Sequence, residues 1–436
     1  MESIKKVNEK KELNGLWLLT VLILFAMLLL TSSCTDTCEV TRSYVNYEPI
    51  YTTTQEIRDG VEYLPPKEIS NPGRLYFKDG YMYINEVGEG IHVIDNRVPT
   101  SPQKLGFVSV PGNFDLAAKG NFLYADSYVD LVVFDISNPN DITEVNRELS
   151  VFAGYDVYAG LWDEQRGILT DWEATTVEEA FEADCESGLI VEDFLAADFA
   201  VAERAQFNAD GGSPAQSGIG GSLAKFTIYD DFLYTINSWE MRLFDISTLE
   251  DPEVGSIVQL GWGIETIFPY GDKLFIGARN GMHIYDNANP SEPELISSYQ
   301  HVNSCDPVVV QDDYAYVTLR SGTECEGFTN QLDIVDISNL SNPRLHKTYQ
   351  MQNPHGLGID GSCLFITEGE FGLKFFDVED VDNLELVSHK EDLHAIDVIP
   401  LNENLMVIGN DGFKQYSYNC ETGAFNLLST IAITNL

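Results

Sequence analysis

The sequence predicts an all-β protein: a seven-bladed β-propeller of four-stranded antiparallel blades, with a partly helical insertion between the second and third repeats. Three observations lead to this fold. A unit of about 40 residues recurs along the chain, its segments are joined by hairpin turns such as Asp79-Gly80 and Gly271-Asp272, and its third segment ends on aspartate. Four antiparallel strands per unit are typical of a propeller blade. A β-solenoid is the alternative, but its coils are shorter and contain few hairpins.

The copies of the repeat share an aromatic strand, a short turn and an apolar strand that closes on one residue. The closing residues are Asp95, Asp135, Asp245, Asp286, Asp336, Asp377 and, in a degenerate seventh copy, Ser417. They are 40 or 41 residues apart except at two intervals, of 110 and 50 residues. The longer interval contains an insertion at about 151–222, and the shorter one a long turn around Ser321–Asn330. We therefore expect one propeller domain over 73–436.

The closing aspartates have a structural explanation. In D-I-S-N-P the Asp and Ser side chains can cap their own turn through local hydrogen bonds, which requires no ligand. Calcium binding is the alternative, and it needs an alternating D-x-D-x-D-G loop. Residues 377–382 are the nearest match and do not complete that loop. We expect turn capping at these positions.

The repeat resembles a known family. Four segments are similar to the LVIVD repeat: Leu332–Ser338 (LDIVDIS), Leu131–Ser137 (LVVFDIS), Arg242–Ser247 (RLFDIS) and Ile91–Asn96 (IHVIDN). That repeat occurs in bacterial and archaeal exported proteins and is taken to form β-propellers, so the resemblance implies this fold for about residues 73–433. The family has no general activity or catalytic motif, and the resemblance implies none here. The insertion and the seventh copy depart from the family pattern.

The N-terminal residues 1–33 are predicted to be a signal peptide of the lipoprotein type. Four lysines within Met1–Asn14 precede the uncharged run Leu16–Leu30, whose 15 residues are short for a span that needs about 20. Three small residues then lead into Cys34, which resembles the lipid-attachment cysteine of a bacterial lipobox, although Thr31 stands where that motif prefers an aliphatic residue. A permanent membrane helix is one alternative, and ordinary cleavage nearby, with Cys34 as a plain thiol or a disulfide partner, is the other. Residues 34–72 are interpreted as a linker that pairs one strand with the body near Asn46–Ile57.

Composition limits the partners. The 436 residues carry 25 Lys and Arg against 69 Asp and Glu, a formal charge of −44, and 44% of them are hydrophobic. The apolar content excludes a disordered acidic tail, and the charge opposes binding to a nucleic-acid backbone. We expect no nucleic-acid partner and membrane contact only through a lipid. The acidity favours solubility and repels anionic surfaces.

Six cysteines besides Cys34 suit an oxidising compartment. A disulfide between Cys305 and Cys325 is predicted, because both flank strands of the fifth unit that end on the same face. Cys363 and Cys420 form a weaker candidate pair on the opposite face of neighbouring blades, and Cys38 and Cys185 are not assigned. No spacing is CxxC, so zinc and thioredoxin-like chemistry find no support.

The first strand of each blade lines the channel of a propeller, so residues at its start form a ring at one mouth. The ring is found by counting ten residues back from the aromatic anchor of each unit, which is an aromatic residue in its second strand, such as Tyr83. The first three units give Gly73, Phe114 and Ala224. The next four, with an adjustment for a longer turn in unit seven, place four polar residues on consecutive blades: Glu265, Asp306, His355 and His394. Two carboxylates and two imidazoles on one arc could hold a metal or transfer protons. A wet channel mouth that tolerates any polar residue is the simpler interpretation. No cofactor is predicted, and a metal ion at this mouth stays an alternative.

Four aromatic residues fall in the loops between second and third strands, on the face of that ring: Tyr128, Trp239, Phe328 and Phe371. Exposed loop aromatics suit contact with carbohydrate or protein. Packing between blades is the alternative for some of them.

The insertion holds 15 acidic and 2 basic residues. The pattern Thr176 to Glu179 is a capping box that predicts a helix to about Cys185, and a second amphipathic stretch, Leu189–Phe207, follows. The Gly-rich segment 211–222 lacks the Gly-Lys-Ser/Thr ending of a phosphate loop and is interpreted as a flexible linker. The insertion could form a lid, a surface for a partner, or a solvated surface loop with no function of its own, and all three fit this composition.

These patterns favour a monomeric, exported protein, lipid-anchored in the bacterial outer membrane or at the cell surface. Its expected activity is non-enzymatic binding of, or scaffolding for, an envelope protein or glycan. The alternative is a metal-dependent or hydrolytic enzyme that uses the channel-mouth residues. No Gly-x-Ser-x-Gly motif or cofactor fingerprint supports the enzyme, and the fold alone decides nothing because propellers host many functions.

Overall fold

A computed structural model describes residues 37–153, 162–163, 165–184, 219–301, 307–322 and 328–433. The regular structure in these residues is almost entirely β-strand, with one short helix, α1 (Thr54–Asp59). No helix in this part of the chain has the length and apolar character needed to cross a membrane. In chain order the strands are β1 (Thr37–Thr52), β2 (Glu62–Leu64), β3 (Pro72–Lys78), β4 (Tyr81–Glu86), β5 (Gly90–Asp95), β6 (Gln103–Ser109), β7 (Leu116–Lys119), β8 (Phe122–Ser127), β9 (Asp130–Asp135), β10 (Thr143–Glu148), β11 (Trp162–Asp163), β12 (Gly167–Asp184), β13 (Ile219–Gly220), β14 (Phe226–Tyr229), β15 (Phe232–Ile236), β16 (Glu240–Asp245), β17 (Glu253–Gln259), β18 (Ile264–Tyr270), β19 (Lys273–Ala278), β20 (Gly281–Asp286), β21 (Glu294–Gln300), β22 (Val308–Gln311), β23 (Tyr314–Leu319), β24 (Gln331–Asp336), β25 (Arg344–Gln350), β26 (Leu357–Asp360), β27 (Cys363–Thr367), β28 (Leu373–Asp377), β29 (Glu385–Lys390), β30 (Asp397–Leu401), β31 (Asn404–Gly409), β32 (Gly412–Asn419) and β33 (Ala424–Ile431).

Within the described residues, seven sheets each contain four consecutive antiparallel strands. They are the first sheet β3–β6, the second β7–β10, the third β14–β17, the fourth β18–β21, the fifth β22–β25, the sixth β26–β29 and the seventh β30–β33. The first sheet gains β13 beside β3 and β2 beside β6. This arrangement confirms the all-β prediction and the four-stranded repeat.

The inner strands, meaning the first strand of each sheet, contact one another in order. β3 contacts β7, β7 contacts β14, and the series continues through β18, β22 and β26 to β30, which contacts β3 again. Outer strands such as β17 are mostly exposed, whereas β4 and β5 are almost wholly buried. Sandwiched middle strands have neighbours on both faces, and this explains their nearly continuous apolar sequences.

The first and seventh sheets are joined by side chains and by one bridge. Asn96 and Gln415 are both buried and exchange two amide hydrogen bonds of 2.8 Å. Ile69, which is fully buried, forms a parallel bridge with Ile433. Because a buried amide is costly unless its donors and acceptors are paired, the reciprocal Asn–Gln contact specifies this junction.

The predicted turns are present. Asp79 and Gly80 have φ of 50° and 83°, the conformation of a type I′ hairpin turn, in which glycine carries no steric cost. The closing aspartates cap their own turns: for example, Ser137 N donates to Asp135 Oδ1 at 2.8 Å, and Ser338 N donates to Asp336 Oδ1 at 2.9 Å. The expected structural role of these aspartates is confirmed.

The recurring tyrosine of the second strand joins neighbouring sheets. Tyr124 Oη donates to the carbonyl of Leu249 at 2.7 Å, and Tyr234 Oη donates to that of Pro290 at 2.8 Å. Each acceptor lies in the turn that follows the closing aspartate of the next sheet. The ring therefore fills the core while its hydroxyl reaches a backbone acceptor.

The helix predicted to begin at Thr176 is wrong. Residues 167–184 form β12, which lies between β1 and β11 in a three-stranded sheet, and Thr170 Oγ1 is 2.8 Å from Thr52 Oγ1. β-Branched residues in this segment suit a strand, and a capping box is only a local pattern. A complete capping box occurs instead at Thr53 and Glu56, where α1 begins. Leu189–Phe207 lies outside the described residues.

The predicted linker, 34–72, contains β1, α1 and β2. The strand of this segment that pairs with a four-stranded sheet is β2, which lies against β6, and it comes after the expected Asn46–Ile57. The described chain divides into two compact units. One contains residues 37–50 and 171–184, and the other contains the seven sheets.

Candidate functional site

The predicted channel-mouth residues lie at or just before the inner strands. Glu265 is the second residue of β18, and His355 and His394 precede β26 and β30 by two and three residues. All three are half-buried. Asp306 lies outside the described residues, so the fourth member of the proposed arc is not placed.

Glu265 is engaged in an ion pair. Its Oε1 accepts a hydrogen bond of 2.9 Å from Arg279 Nε. The Arg279 guanidinium carbon lies 5.8 Å from the ring centroid of Trp262, within cation–π range. The Arg279 side chain thus contacts both a carboxylate and an indole, an arrangement suited to polar recognition.

His355 is held as a neutral imidazole. Its Nε2 accepts from Asn353 Nδ2 at 3.2 Å and lies 3.4 Å from an Arg320 nitrogen. Burial, then the charges of Arg320 and His394, lower the pKa of His355 to about 3. His355 N also donates to the Thr367 carbonyl at 2.7 Å, which fixes the backbone. At neutral pH this imidazole is a weak base and carries no charge.

His394 lies before β30, the inner strand next to β26. Burial lowers the pKa of His394, and Asn410 Nδ2 is 3.3 Å from its Nε2. Among the described residues no group of three or more His, Cys, Asp and Glu side chains is arranged to hold a metal ion. The structure therefore places His355 and His394 before neighbouring inner strands, β26 and β30, and pairs Glu265 separately with Arg279.

Sequence counting missed a buried charged cluster next to the predicted ring. Arg74, Asp115 and Lys225 each follow a ring position by one residue. Arg74 Nε donates to Asp115 Oδ2 at 3.2 Å, and both side chains are almost fully buried. The Lys225 backbone N–H donates to the same carboxylate at 2.6 Å. A charged residue directly before the apolar residues of the inner strand in three successive units was the signal available in the sequence.

Burial dominates the electrostatics of this cluster. It lowers the pKa of Arg74 and raises that of Asp115, in each case against the attraction of the partner. Burial and the nearby Arg74 charge lower the pKa of Lys225 to about 8. Desolvation of a buried ion pair is costly, so its partners and hydrogen bonds must all be in place.

The insertion ends in a segment that connects several sheets. This return segment, Ile219–Lys225, begins as β13 beside β3. Ser222 N donates to Asp397 Oδ1 at 3.0 Å, and Ser222 Oγ accepts from Leu357 N at 2.6 Å. Ile267 N donates to the Ala224 carbonyl at 3.2 Å. The segment therefore contacts the first, fourth, sixth and seventh sheets.

Glycine makes the close approach to Asp397 possible. A Cβ at position 221 would lie 1.9 Å from Asp397 Oδ2, and one at position 356 would lie 2.4 Å from Oδ1. Neither contact is sterically allowed. The flexible-linker interpretation is therefore wrong for the described end of the Gly-rich segment, because Gly221 and Ser222 are buried and hydrogen-bonded.

The predicted loop aromatics differ in exposure. Trp239 is 45% exposed, Phe371 37% and Phe328 99%. Tyr128 is half-buried, and its ring packs over Gly112, where a Cβ would lie 2.1 Å away. Trp262, which the sequence analysis did not select, is 44% exposed.

A disulfide joins Cys363 of β27 to Cys420, which follows β32, with 5.5 Å between the Cα atoms. The weaker of the two predicted pairs is thus confirmed, and it connects the sixth and seventh sheets. Cys305 and Cys325 both lie outside the described residues, so their pairing stays a prediction.

A cavity of about 330 Å³ lies toward the C-terminal ends of four inner strands, β18, β22, β26 and β30. The return segment contributes Ile219 and Gly220 to its wall, and most other lining groups are apolar. Shape and lining alone do not select a ligand for it.

The chain carries LVIVD repeats: the model of that repeat matches residues 112–148, 266–301 and 304–351. The three segments span the second, fourth and fifth sheets, so one repeat corresponds to one sheet. The predicted resemblance is confirmed. No curated protein matches the sequence at a significant level.

Solved structures share the fold at low sequence identity. A Lactobacillus plantarum protein is 12% identical with a TM-score of 0.54, covering 84% of this chain and 97% of that one. A putative 6-phosphogluconolactonase from Bacteroides uniformis is 12% identical with a TM-score of 0.50 and the same coverage. The computationally designed Ika8 protein is 10% identical with a TM-score of 0.50, covering 85% of this chain and 91% of that one. At such identities the likeness concerns the fold alone.

Proposed function

We propose that this chain is an exported, lipid-anchored, seven-bladed β-propeller that acts as a non-enzymatic binding module for an envelope protein or glycan. The cyclic order of inner-strand contacts supports a closed ring in which each sheet is one blade. LVIVD repeats in three sheets are consistent with this fold.

The observation that carries the binding function is the set of partly exposed aromatic side chains on the loops at the channel mouth. Trp239, Trp262 and Phe371 are 37–45% exposed, and Arg279, the cation beside Trp262, is paired with Glu265. Aromatic side chains on loops that a rigid scaffold positions are typical of binding surfaces. His355, with a pKa of about 3, is a weak base, and the Glu265 carboxylate is paired with Arg279, so these two groups are better suited to contact than to proton transfer.

Anchoring through Cys34 is part of the proposal. β1 begins at Thr37, so only two residues separate a lipidated cysteine from the first strand. A single acyl chain binds membranes weakly, and stable anchoring needs more than one chain or a second contact. Metabolic labelling with a palmitate analogue is expected to mark the wild type and not Cys34→Ala. Equal labelling of that variant would refute the anchor.

The binding function is tested by cross-linked pull-down from intact envelopes. The Trp239→Ala/Phe371→Ala variant is expected to lose the captured component that the wild type retains. Leu295→Ala is a matched control, because Leu295 is 56% exposed on the outer strand β21 and lies away from the mouth loops. Capture that is unchanged in the aromatic variant, or lost equally in the control, would contradict the proposed surface.

A further inference from the structure

We infer that Trp239, Trp262, Arg279 and Glu265, named here the tryptophan surface, bind a neutral glycan. The inference rests on the proposed binding function and assigns its ligand class. It depends on three features of these residues: a rigid backbone, two half-exposed indoles, and a paired cation and anion beside one of them.

The backbone of the tryptophan surface is fixed by a dense set of hydrogen bonds. Asn237 Oδ1 accepts from Trp239 N at 2.7 Å and from Glu240 N at 2.8 Å. The Trp239 carbonyl in turn accepts from Leu260 N at 2.8 Å and from Gly261 N at 3.2 Å. The loop that carries Trp262 is thus hydrogen-bonded directly to the loop that carries Trp239. A rigid site loses little conformational entropy when it binds a ligand.

Arg279 is placed by the same backbone. Its N–H donates to the Gly263 carbonyl at 2.8 Å. Gly263 has φ of +81°, and a Cβ there would lie 3.2 Å from Arg279 Cβ. Glycine therefore permits both the turn and the close passage of the arginine side chain. The guanidinium then lies beside Trp262 with its Nε on Glu265.

The exposed indoles favour a ligand with flat apolar faces and polar edges. Trp239 and Trp262 leave 45% and 44% of their surface in water, although Trp is among the side chains that gain most from burial. A pyranose ring offers C–H faces that can stack on an indole and hydroxyls at its rim. The Arg279 side chain is 34% exposed and that of Glu265 20%, so donors and an acceptor lie together for those hydroxyls.

Charge selects a neutral glycan over an anionic one. The Arg279 charge is already matched by Glu265 at 2.9 Å, and the chain as a whole carries a formal charge of −44. An anionic polymer would meet a repulsive field and no unpaired cation within the tryptophan surface. A protein partner is the competing occupant, and the experiment below separates it from a glycan.

The test is affinity electrophoresis of the full chain in gels that contain laminarin, dextran or mannan. We expect at least one of these polysaccharides to retard the wild type, and Trp239→Ala or Trp262→Ala to weaken binding at least tenfold. Trp239→Phe is expected to recover most of the retardation, because a phenyl ring still stacks. Trp172→Ala is the matched control, since Trp172 is 52% exposed on β12 and outside the tryptophan surface. Circular dichroism verifies that each variant folds.

Three outcomes would overturn the inference: no retardation of the wild type, equal loss in Trp172→Ala, or no loss in Trp239→Ala and Trp262→Ala. The envelope pull-down distinguishes this failure from failure of the proposed function. If the wild type binds none of the polysaccharides but Trp239→Ala/Phe371→Ala still loses its envelope partner, the ligand is a protein and only the glycan inference fails. If the pull-down is also unaffected, the proposed binding function fails with it.

Discussion

Replacement of Arg74 by Met is expected to destabilise the protein strongly. Arg74 Nε lies 3.2 Å from Asp115 Oδ2, and both side chains are buried. With an effective dielectric constant of about 20, the attraction at that distance is about 5 kcal/mol, and the loss of one partner of a buried pair usually costs about 3–5 kcal/mol. We expect the free energy of unfolding to fall by that amount in Arg74→Met.

The partner substitution is expected to cost less. Asp115→Asn keeps an acceptor for Lys225 N, and the negative charges of Asp397 and Asp126 still act on Arg74. A loss of about 2 kcal/mol follows for that variant, within the range for removing a hydrogen bond to a charged group. The double variant should lose less than the sum of the single losses, since neither charge is then left unpaired.

Urea unfolding monitored by tryptophan fluorescence measures these differences at pH 7 and pH 5. Burial already raises the folded-state pKa of Asp115, and removal of Arg74 raises it further. A raised folded-state pKa gives stability that is present at low pH and lost as pH rises, so the deficit of Arg74→Met should shrink toward pH 5. A deficit under about 1 kcal/mol at pH 7, or additive single losses, would refute the account of this ion pair.

Two further predictions concern the sixth and seventh sheets. Cys363→Ala/Cys420→Ala is expected to lose about 4 kcal/mol of unfolding free energy in urea, because the disulfide closes a loop with a sequence separation of 57. Cys38→Ala serves as the control. A loss below about 1 kcal/mol in the double variant would contradict the loop-closure argument. The second prediction concerns acid. The pKa of His355 is about 3 in the folded state against an ordinary value of 6.5, so the unfolded chain binds a proton first and stability falls as pH drops from 6.5 toward 3. Between pH 8 and pH 5 this loss of unfolding free energy is at most about 2 kcal/mol. His355→Gln should reduce the loss by that amount. If the stability of the variant has the same pH profile as the wild type, His355 is excluded as the source of the acid sensitivity.

The repeat and its turns could be predicted because their causes are local. Asp135 and Ser137 cap their turn within three residues, and the conformations of Asp79 and Gly80 depend on their own backbone preferences. A period of 40 or 41 residues between closing positions then identifies the four-stranded unit. None of these features requires knowledge of distant contacts.

The candidate site was located less well because strand pairing is irregular at its position. Counting back from an aromatic anchor assumes regular pairing of the first two strands. The pairing of β3 with β4 shifts between Pro72 and Leu75, and that of β18 with β19 shifts between Ile264 and Thr266. A bulge adds a residue to one strand, so such a count cannot fix the inward-facing position to the nearest residue. In the first sheet the count stopped one residue short of Arg74; β7 and β8 pair without a shift, so the bulge does not explain the same offset at Asp115.

The insertion shows the effect of non-local pairing. The Thr176 to Glu179 pattern fits a helix start, but β12 pairs with β1, more than 100 residues earlier in the chain. Such pairing overrides a weak local preference. The contacts of Ser222 with Leu357 and Asp397 were equally inaccessible to sequence reasoning, because they depend on how the sheets close.

The return segment sets an order of events during synthesis. Ser222 leaves the ribosome 175 residues before Asp397, the acceptor of its backbone N–H. At about 5–20 residues per second this interval is about 9–35 s, far longer than hairpin formation. The early sheets can pair internally during that time, while the face of the first sheet that packs on the seventh sheet stays uncovered. A nascent chain therefore exposes Leu75, Ile84 and the other apolar side chains of that face until the last strands emerge, and this favours association between unfinished copies.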